Sequence, residues 1–311
     1  MGIMTESMLV LGGTGFIGKH VVSQACSEGF SVVCLSLHLP EEGQKIDDVE
    51  YVVADITKES EVRSFLSQRP FEYIVNCAGY IDHTLFGNGG EEIILQQFDA
   101  VRNLAKYAPR DSLRGFVQIG SSDEYGAGIA PQGESLREAP ISPYSFGKVA
   151  STQFLQMLHR TERFPAVTIR LFLVYGPKQD GNRFLPQIVK GCLSGETFPT
   201  SEGKQLRDFC HVRDVARGLL KAAQSTAAHG EVINLGAGQP TTIRQMVEQV
   251  CGIIGGGSPE FGEKPYRPGE NKALYADITK ARELLEWHPE ISLESGLTEL
   301  VEWGRGQGWG D

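Results

Sequence analysis

Cationic side chains are scarce in this 311-residue chain: 29 Lys and Arg stand against 39 Asp and Glu, a net charge of −10. Such a surface repels phosphate backbones and anionic lipid at long range, so neither nucleic acid nor a membrane is an expected partner. Long apolar runs are also missing. The first, residues 8–11, stops at Gly12-Gly13, too short for a signal peptide, and no later stretch reaches the ~18 apolar residues of a membrane span. A cytoplasmic protein is expected. Cys-x-x-Cys does not occur among Cys26, Cys34, Cys77, Cys192, Cys210 and Cys251, which argues against a zinc knuckle or a disulfide framework and for reduced, mostly buried thiols. No metal is expected. The absence of any internal repeat excludes a solenoid or propeller. Glycine is what the chain has in excess: 37 of its residues, well above the average of ~7%. That implies tight turns or close backbone approaches to a ligand.

These glycines punctuate an alternation of short and long segments. Runs of Val, Ile and Leu at 8–11, 31–35, 51–53, 73–76, 116–119 and 167–171 read as strands buried on both faces. Between them, 16–28 carries Ile17, Val21 and Ala25 on one helical face, 59–68 carries Val62, Phe65 and Leu66, and 91–107 and 144–160 are longer helical patterns. The alternation predicts α/β architecture, a doubly wound parallel (Rossmann) sheet. Beyond Pro177 the texture changes, with Pro186, Pro199, Pro240, Pro259, Pro265, Pro268 and Pro289 breaking the chain into short pieces. At ~150 residues per domain the length suits two units. We expect a dinucleotide-binding domain over 1–175, rejoined by 210–236, and a smaller mixed α/β substrate lobe from 176–209 and 237–311.

The segment Gly12-Gly-Thr-Gly15-Phe-Ile-Gly18 follows the first strand and opens the first helix. Glycines there let backbone N–H groups reach a pyrophosphate, whose charge sits at the positive end of the helix dipole. Taken alone, the triplet could be simple turn glycines; its position between strand and helix favours dinucleotide binding. NAD sites usually place a carboxylate at the end of the second strand to take the ribose hydroxyls. Here Ser36 occupies that place, with His38 close by. No carboxylate would repel a 2′-phosphate, so NADP is favoured and NAD stays possible. Asp55, after the third strand, reads as an adenine contact or as an ordinary helix cap; we favour the adenine contact.

Tyr144 and Lys148 stand at i and i+4 on one helix. A cation beside a phenol lowers its pKa from ~10 toward the working pH, which suits general acid or base work. The plain alternative is a solvated pair. The turn Gly120-Ser121-Ser122-Asp123-Glu124-Tyr125-Gly126 follows a strand at the carboxyl edge of the sheet, where doubly wound folds bind ligands.

With these residues assembled, the chain resembles the extended short-chain dehydrogenase/reductase superfamily: the nucleotide-sugar epimerases, dehydratases and ketoreductases. The resemblance covers nearly the whole length. It is carried by the glycine turn, Asp55, Asn76-Cys-Ala-Gly79, Ser121-Ser122, Tyr144-x-x-x-Lys148, Arg170-Leu-Phe-Leu-Val-Tyr-Gly-Pro177, Arg207-Asp-Phe209, Asp214-Val-Ala216 and Arg267-Pro-Gly269. It implies that Tyr144 exchanges a proton with a sugar oxygen and that Lys148 binds the nicotinamide ribose and polarises Tyr144. Ser121, four residues before Tyr125, would bind the same oxygen, with Ser122 as the fallback. The implied cofactor cradle is Gly12, Thr14, Gly15, Phe16, Ile17, Gly18, Ser36, Asp55, Ile56, Ala78 and Gly79 with Tyr144 and Lys148. A nucleotide-diphosphate sugar would meet Ser121, Ser122, Asp123, Arg183, Arg207 and Arg267, and the resemblance implies a homodimer.

Two departures bear on the reaction. Leu173 stands where the family commonly has an Asn that contacts the substrate, so the sugar or diphosphate pose is expected to differ from that of the epimerases. Asp123-Glu124 resembles the acid/base pair of 4,6-dehydratases, but the dehydratase signature has one more residue before Tyr-Gly. The sequence Gly-Ser-Ser-x-Glu-Tyr-Gly resembles instead the reductases of nucleotide-linked 4-keto-6-deoxysugars. A ketoreductase is the favoured reading, ahead of an epimerase and a dehydratase. A non-catalytic cofactor sensor would predict a damaged Ser/Tyr/Lys set, and here the set is intact.

Overall fold

The structure is a computed structural model that describes residues 5–266 and 271–309. In its first half the strands are Ser7–Leu11 (β1), Ser31–Ser36 (β2), Glu50–Val53 (β3), Tyr73–Asn76 (β4), Gly115–Ser121 (β5) and Ala166–Leu171 (β6). The later strands are Leu173–Tyr175 (β7), Thr197–Thr200 (β8), Leu206–His211 (β9), Val232–Leu235 (β10), Pro240–Thr242 (β11), Ser258–Phe261 (β12) and Ala273–Leu274 (β13). The helices are Phe16–Ser27 (α1), Glu59–Leu66 (α2), Gly90–Tyr107 (α3), Pro143–Glu162 (α4), Phe184–Leu193 (α5), Val212–Gln224 (α6), Ile243–Ile254 (α7), Thr279–Leu285 (α8) and Leu293–Gly306 (α9).

Seven strands form one parallel sheet in the order β10-β6-β5-β4-β1-β2-β3. Alternate residues of β1 serve opposite faces, as the two-residue period of a strand requires. Met8 and Val10 pack with Val21 and Ala25 of α1 and Val215 and Leu219 of α6. Leu9 and Leu11 pack with Val62 and Leu66 of α2, Leu104 of α3 and Leu155 of α4. Burial on both sides explains why these strands read as continuous apolar runs. The strand order reverses between β1 and β4, which opens a crevice beyond their carboxyl ends.

The six strands expected from the sequence are present with small extensions, and β10 adds a seventh beside β6. The remaining strands build a four-stranded sheet around β9 and a two-stranded β8–β12 sheet. These sheets pack with α5, α7 and α9 around Leu185, Val189, Met246, Val247, Leu297 and Leu300. A small cluster of Tyr125, Phe172, Leu274, Ala276 and Ile278 lies behind the turn that follows β5. Cys34, Cys192 and Cys210 are buried, the other three cysteines are half-buried, and all six are free thiols.

Candidate active site

The first wall of the crevice is the glycine turn. Gly12 has φ +70°, and a Cβ on it would stand 2.8 Å from the backbone of Ala78, so the loops after β1 and β4 touch where the strand order reverses. A Cβ on Gly18 would collide with the Gly12 carbonyl oxygen. Gly15 is the N-cap of α1 and offers no side-chain cap. The N–H groups of the first turn, through Phe16 and Ile17, therefore remain for an anion. Thr14 N–H donates to Ser36 Oγ at 3.2 Å, which ties the turn to the end of β2; Ser36 is buried and His38 is exposed. Asp55 Oδ1 accepts from the backbone N–H and hydroxyl of Thr57, at 3.0 and 2.7 Å. This is a turn contact ahead of α2, whose N-cap is Lys58 with no side-chain cap, and Oδ2 faces Lys58 at 3.7 Å. Ile56 presents its carbonyl to Asn103 Nδ2. Gly79 has φ +126°, and a Cβ on it would press on Gln97 Oε1 at 3.3 Å and stand 3.7 Å from Lys148 Nζ. A tight glycine cradle, an uncapped helix N-terminus and a bare Gly79 beside a lysine fit a dinucleotide.

The second wall holds the reactive groups. Ser142 and Ser145 form a capping box at the start of α4, with Pro143 in the first helical position, an arrangement that fixes the entry of the chain. It places Tyr144 on the first turn and Lys148 one turn later, both buried. Lys148 Nζ donates to the Ile119 carbonyl at 2.9 Å. Burial lowers its pKa to about 8, against the opposing pull of Glu124 and Cys77. Tyr144 behaves opposite to the sequence expectation. Burial lifts its phenol well above the ordinary value, Asp123 and Glu124 lift it further, and the Ser121 side chain and Arg183 only partly oppose them. Lys148 Nζ lies 5.7 Å from the Tyr144 ring centroid, over the ring and held by a carbonyl, so desolvation outweighs it. At neutral pH the phenol keeps its proton.

The turn after β5 separates two carboxylates that are adjacent in sequence. Ser121 caps it, accepting from Asp123 N–H at 3.1 Å, while Glu124 Oε1 accepts from Ser121 N–H at 2.8 Å. The second oxygen of Glu124 accepts from Thr152 Oγ1 at 3.0 Å and from Arg170 Nε and Nη2 at 3.0 and 2.9 Å. Glu124 and Arg170 are fully buried, and Arg170 also meets Glu138 at 2.7 Å. Glu124 is therefore a structural counter-ion. Both of its oxygens are taken up by Ser121 N–H, Thr152 and Arg170. Asp123 faces the crevice instead; burial raises its carboxyl, against the positive fields of His83 and Arg207. Ser122 is buried behind it.

On the far side stand the arginines. Arg207, in β9, is buried, and its Nη1 donates to the Leu206 and Asn271 carbonyls at 2.8 and 2.9 Å. Its neighbour Asp208 does not pair with it; Asp208 accepts from the backbone N–H groups of Ala237, Gly238 and Ala276. Arg183 is the exposed N-cap of α5. Leu173 begins β7, half-buried. Arg267 lies outside the described residues.

Comparison with known proteins decides what this constellation belongs to. The sequence model of the NAD dependent epimerase/dehydratase family matches residues 8–236. The chain belongs to that family. It is 31% identical over 319 residues to a UDP-glucose 4-epimerase of Mycolicibacterium smegmatis, covering 96% of this chain and 98% of the relative. It is 28% identical to a dTDP-glucose 4,6-dehydratase of Xanthomonas campestris, covering 95% and 92%. Among solved structures, a UDP-glucose 4-epimerase with UDP-glucose from Thermotoga maritima superposes with a TM-score of 0.86 at 27% identity, over 97% of this chain and 99% of that one. The chain is thus an extended short-chain dehydrogenase/reductase of the nucleotide-sugar epimerase/dehydratase type, as the motifs implied.

Against that family background, sequence reasoning missed His83 and Gln97. His83 Nε2 lies 3.7 Å from Asp123 Oδ2, and its ring meets Tyr144 edge-on at 5.9 Å. Gln97 Nε2 donates to the Tyr80 carbonyl and flanks Gly79 and Gly147. No motif marks either residue. For His83 the available signal was position: the segment after Asn76-Cys-Ala-Gly79 leaves the carboxyl end of β4, beside the strand-order reversal.

Proposed function

We propose that this enzyme reduces the C4 ketone of a nucleotide-linked 4-keto-6-deoxyhexose, with NADPH as the preferred reductant, NADH as a possible one, and Tyr144 as proton donor. The observation that carries this reading is geometric: Glu124 is committed to Arg170, while Ser121 stands beside Tyr144, whose phenol burial keeps protonated. A group that must first act as a base would need its pKa lowered toward neutrality, whereas a donor to a ketone needs the proton in place. When bound, the nicotinamide supplies the hydride. Ser121 would hold the ketone oxygen, Tyr144 would hand it the proton, and Lys148, within reach of the Gly79 backbone, would bind the ribose hydroxyls. The commitment of Glu124 to Arg170 supports a reductase over a dehydratase, because it removes one carboxylate from the crevice.

The cradle Gly12, Thr14, Gly15, Phe16, Ile17 and Gly18 would take the pyrophosphate, Asp55 and Ile56 the adenine, and Ala78 and Gly79 the nicotinamide half. The absence of a carboxylate at Ser36 supports NADPH. Arg183, Arg207 and Arg267 would grip the substrate diphosphate, since arginine's planar fork suits phosphate, with Ser122 and Asp123 near the sugar. On this assignment 1–175 and 210–236 serve the cofactor, and 176–209 with 237–311 serve the substrate. Free thiols fit a reducing, cytoplasmic setting. Exposed Leu95, Phe146 and Met157 around the Phe98–Phe154 ring pair of α3 and α4 support a homodimer through that face. A 4-epimerase is the second reading, favoured by the mycobacterial relative. A panel of 4-keto-6-deoxyhexose nucleotides with NADPH, run beside UDP-hexoses with NAD⁺, separates the two. Consumption of reduced cofactor in proportion to sugar supports the reductase; interconversion of UDP-hexoses without net cofactor use overturns it.

A further inference from the structure

Two thiols that the proposed sugar chemistry does not use meet in the core of the second lobe. Cys192, on the last turn of α5, and Cys251, on the last turn of α7, place their Sγ atoms 3.2 Å apart, although 59 positions separate them in the chain. Cys192 is buried and Cys251 half-buried. A Cβ on Gly252, next to Cys251, would meet nothing within 4 Å, so space is open at that end of α7. The chain leaving α7 runs through Gly255, Gly256 and Gly257, with φ +76° at Gly255 and +91° at Gly257. It crosses Cys192, where a Cβ on Gly257 would stand 2.7 Å from the sulfur. Any side chain at 257 would press on Cys192 Sγ, and glycine leaves that sulfur room to move. Burial and the contact with Cys251 push the Cys192 thiol up to about 12, so the half-buried Cys251 is the member that reacts first.

We propose that Cys251 and Cys192 form a thiol–disulfide exchange site that takes a small-molecule disulfide and closes into an intramolecular disulfide clasping α5 to α7. The reaction has two steps. The Cys251 thiolate attacks one sulfur of the small disulfide, whose S–S bond breaks. One half leaves as a thiolate, and the other stays on Cys251 as a mixed disulfide. Cys192 then gives its proton to water and attacks the Cys251 sulfur, expelling the second half as a thiolate. The two protein thiols are oxidised by the loss of two hydrogens, and the small disulfide is reduced to two thiols. Contact between the sulfurs makes the second step intramolecular, which offsets the low thiolate content of Cys192. The closed clasp restrains the unfolded chain across the 59 positions between the cysteines and so stabilises the folded lobe. None of this depends on which sugar reaction the enzyme performs.

The test incubates the folded full-length protein with glutathione disulfide, quenches with acid, alkylates the remaining thiols in denaturant and maps the peptides by mass spectrometry without reduction. The expected product is a Cys192 peptide joined to a Cys251 peptide with the loss of two hydrogens, released again by dithiothreitol. The joined protein should melt about 2 °C or more above the reduced form. Two variants resolve the order of attack. In Cys192→Ser, Cys251 should retain glutathione as a stable mixed disulfide. In Cys251→Ser, the buried Cys192 should take up glutathione at least about tenfold more slowly than Cys251 does in Cys192→Ser. Absence of the joined peptide from the wild-type protein overturns the proposal, whether both thiols stay free or Cys251 keeps its glutathione. A joined protein that melts no higher than the reduced form overturns the clasp, and equal uptake by the two single-cysteine variants overturns the assignment of Cys251 as the attacking thiol.

Discussion

Ser36 and Lys148 show how one residue sets the behaviour of a site. Ser36 closes β2 with its hydroxyl accepting from Thr14 N–H, where a carboxylate would stand against a 2′-phosphate. Ser36→Asp is expected to shift the ratio of kcat/KM values for NADPH over NADH toward NADH by at least about tenfold, the weight of roughly 1.4 kcal/mol. An unchanged ratio would remove Ser36 from the ribose. Lys148 carries a pKa of about 8 because burial disfavours its cation. Between about pH 8 and the ordinary lysine value, the unfolded chain binds a proton that the folded chain has released. The stability contribution of Lys148 therefore rises with pH across that window, and its burial opposes folding in full below it. Activity is expected to run the other way: on the proposed assignment the cation binds ribose, so kcat/KM falls as pH rises through about 8. In Lys148→Met that limb of the pH profile disappears and the plateau below it drops. Persistence of the limb would assign it to another group.

The turn at 122–125 is the element whose role the sequence concealed. Asp123 and Glu124 read alike as letters, yet the first carboxylate faces the crevice and the second enters the core to meet Arg170. Glu124→Gln is expected to destabilise the fold by about 3 kcal/mol, because it leaves the Arg170 charge under-compensated in the interior. Thermal unfolding checks this, with a fall in melting temperature but little change in the activity of the fraction that stays folded. Selective loss of kcat at unchanged stability would return Glu124 to the chemistry. The regular elements were more legible. The strands β1 to β6 and helices α1 to α4 declare themselves because burial on both sheet faces and one-sided helices leave distinct periods in the sequence. β10 was harder to read: four residues between a loop and a turn carry little periodicity, and their identity as a strand comes from pairing with β6. The pKa direction of Tyr144 was illegible for a related reason, since i, i+4 spacing reports proximity to Lys148 but not how much water the fold removes from the phenol.

At the scale of the molecule, the sheet supplies the cofactor crevice, and β9, from the second sheet, extends a buried arginine toward it. Arg207→Ala is expected to raise KM for the nucleotide sugar by about tenfold or more, with a smaller fall in kcat and cofactor affinity unchanged. That is the pattern of lost uniform binding, from a charged contact of about 1.5–3 kcal/mol. A matching loss of cofactor affinity would point to disruption of β9 rather than of a diphosphate contact, since Arg207 Nη1 also holds the Leu206 and Asn271 carbonyls. The glycine turn and the Tyr144–Lys148 spacing could be read from the sequence because the motifs have fixed spacings, and Ser121, implied by the resemblance, stands beside Tyr144 in the structure. His83 could not, because its place depends on a loop path. The central claim, net delivery of hydride to a sugar C4 with Tyr144 as proton donor, is tested most directly with NADPH deuterated at the transferred position of the nicotinamide and a 4-keto-6-deoxyhexose nucleotide, followed by mass spectrometry and NMR of the product. The account predicts one deuterium per product molecule, located at C4, and a rate about 10²–10⁴-fold lower in Tyr144→Phe. A product free of label, or a Tyr144→Phe variant that transfers it at the wild-type rate, would contradict the account.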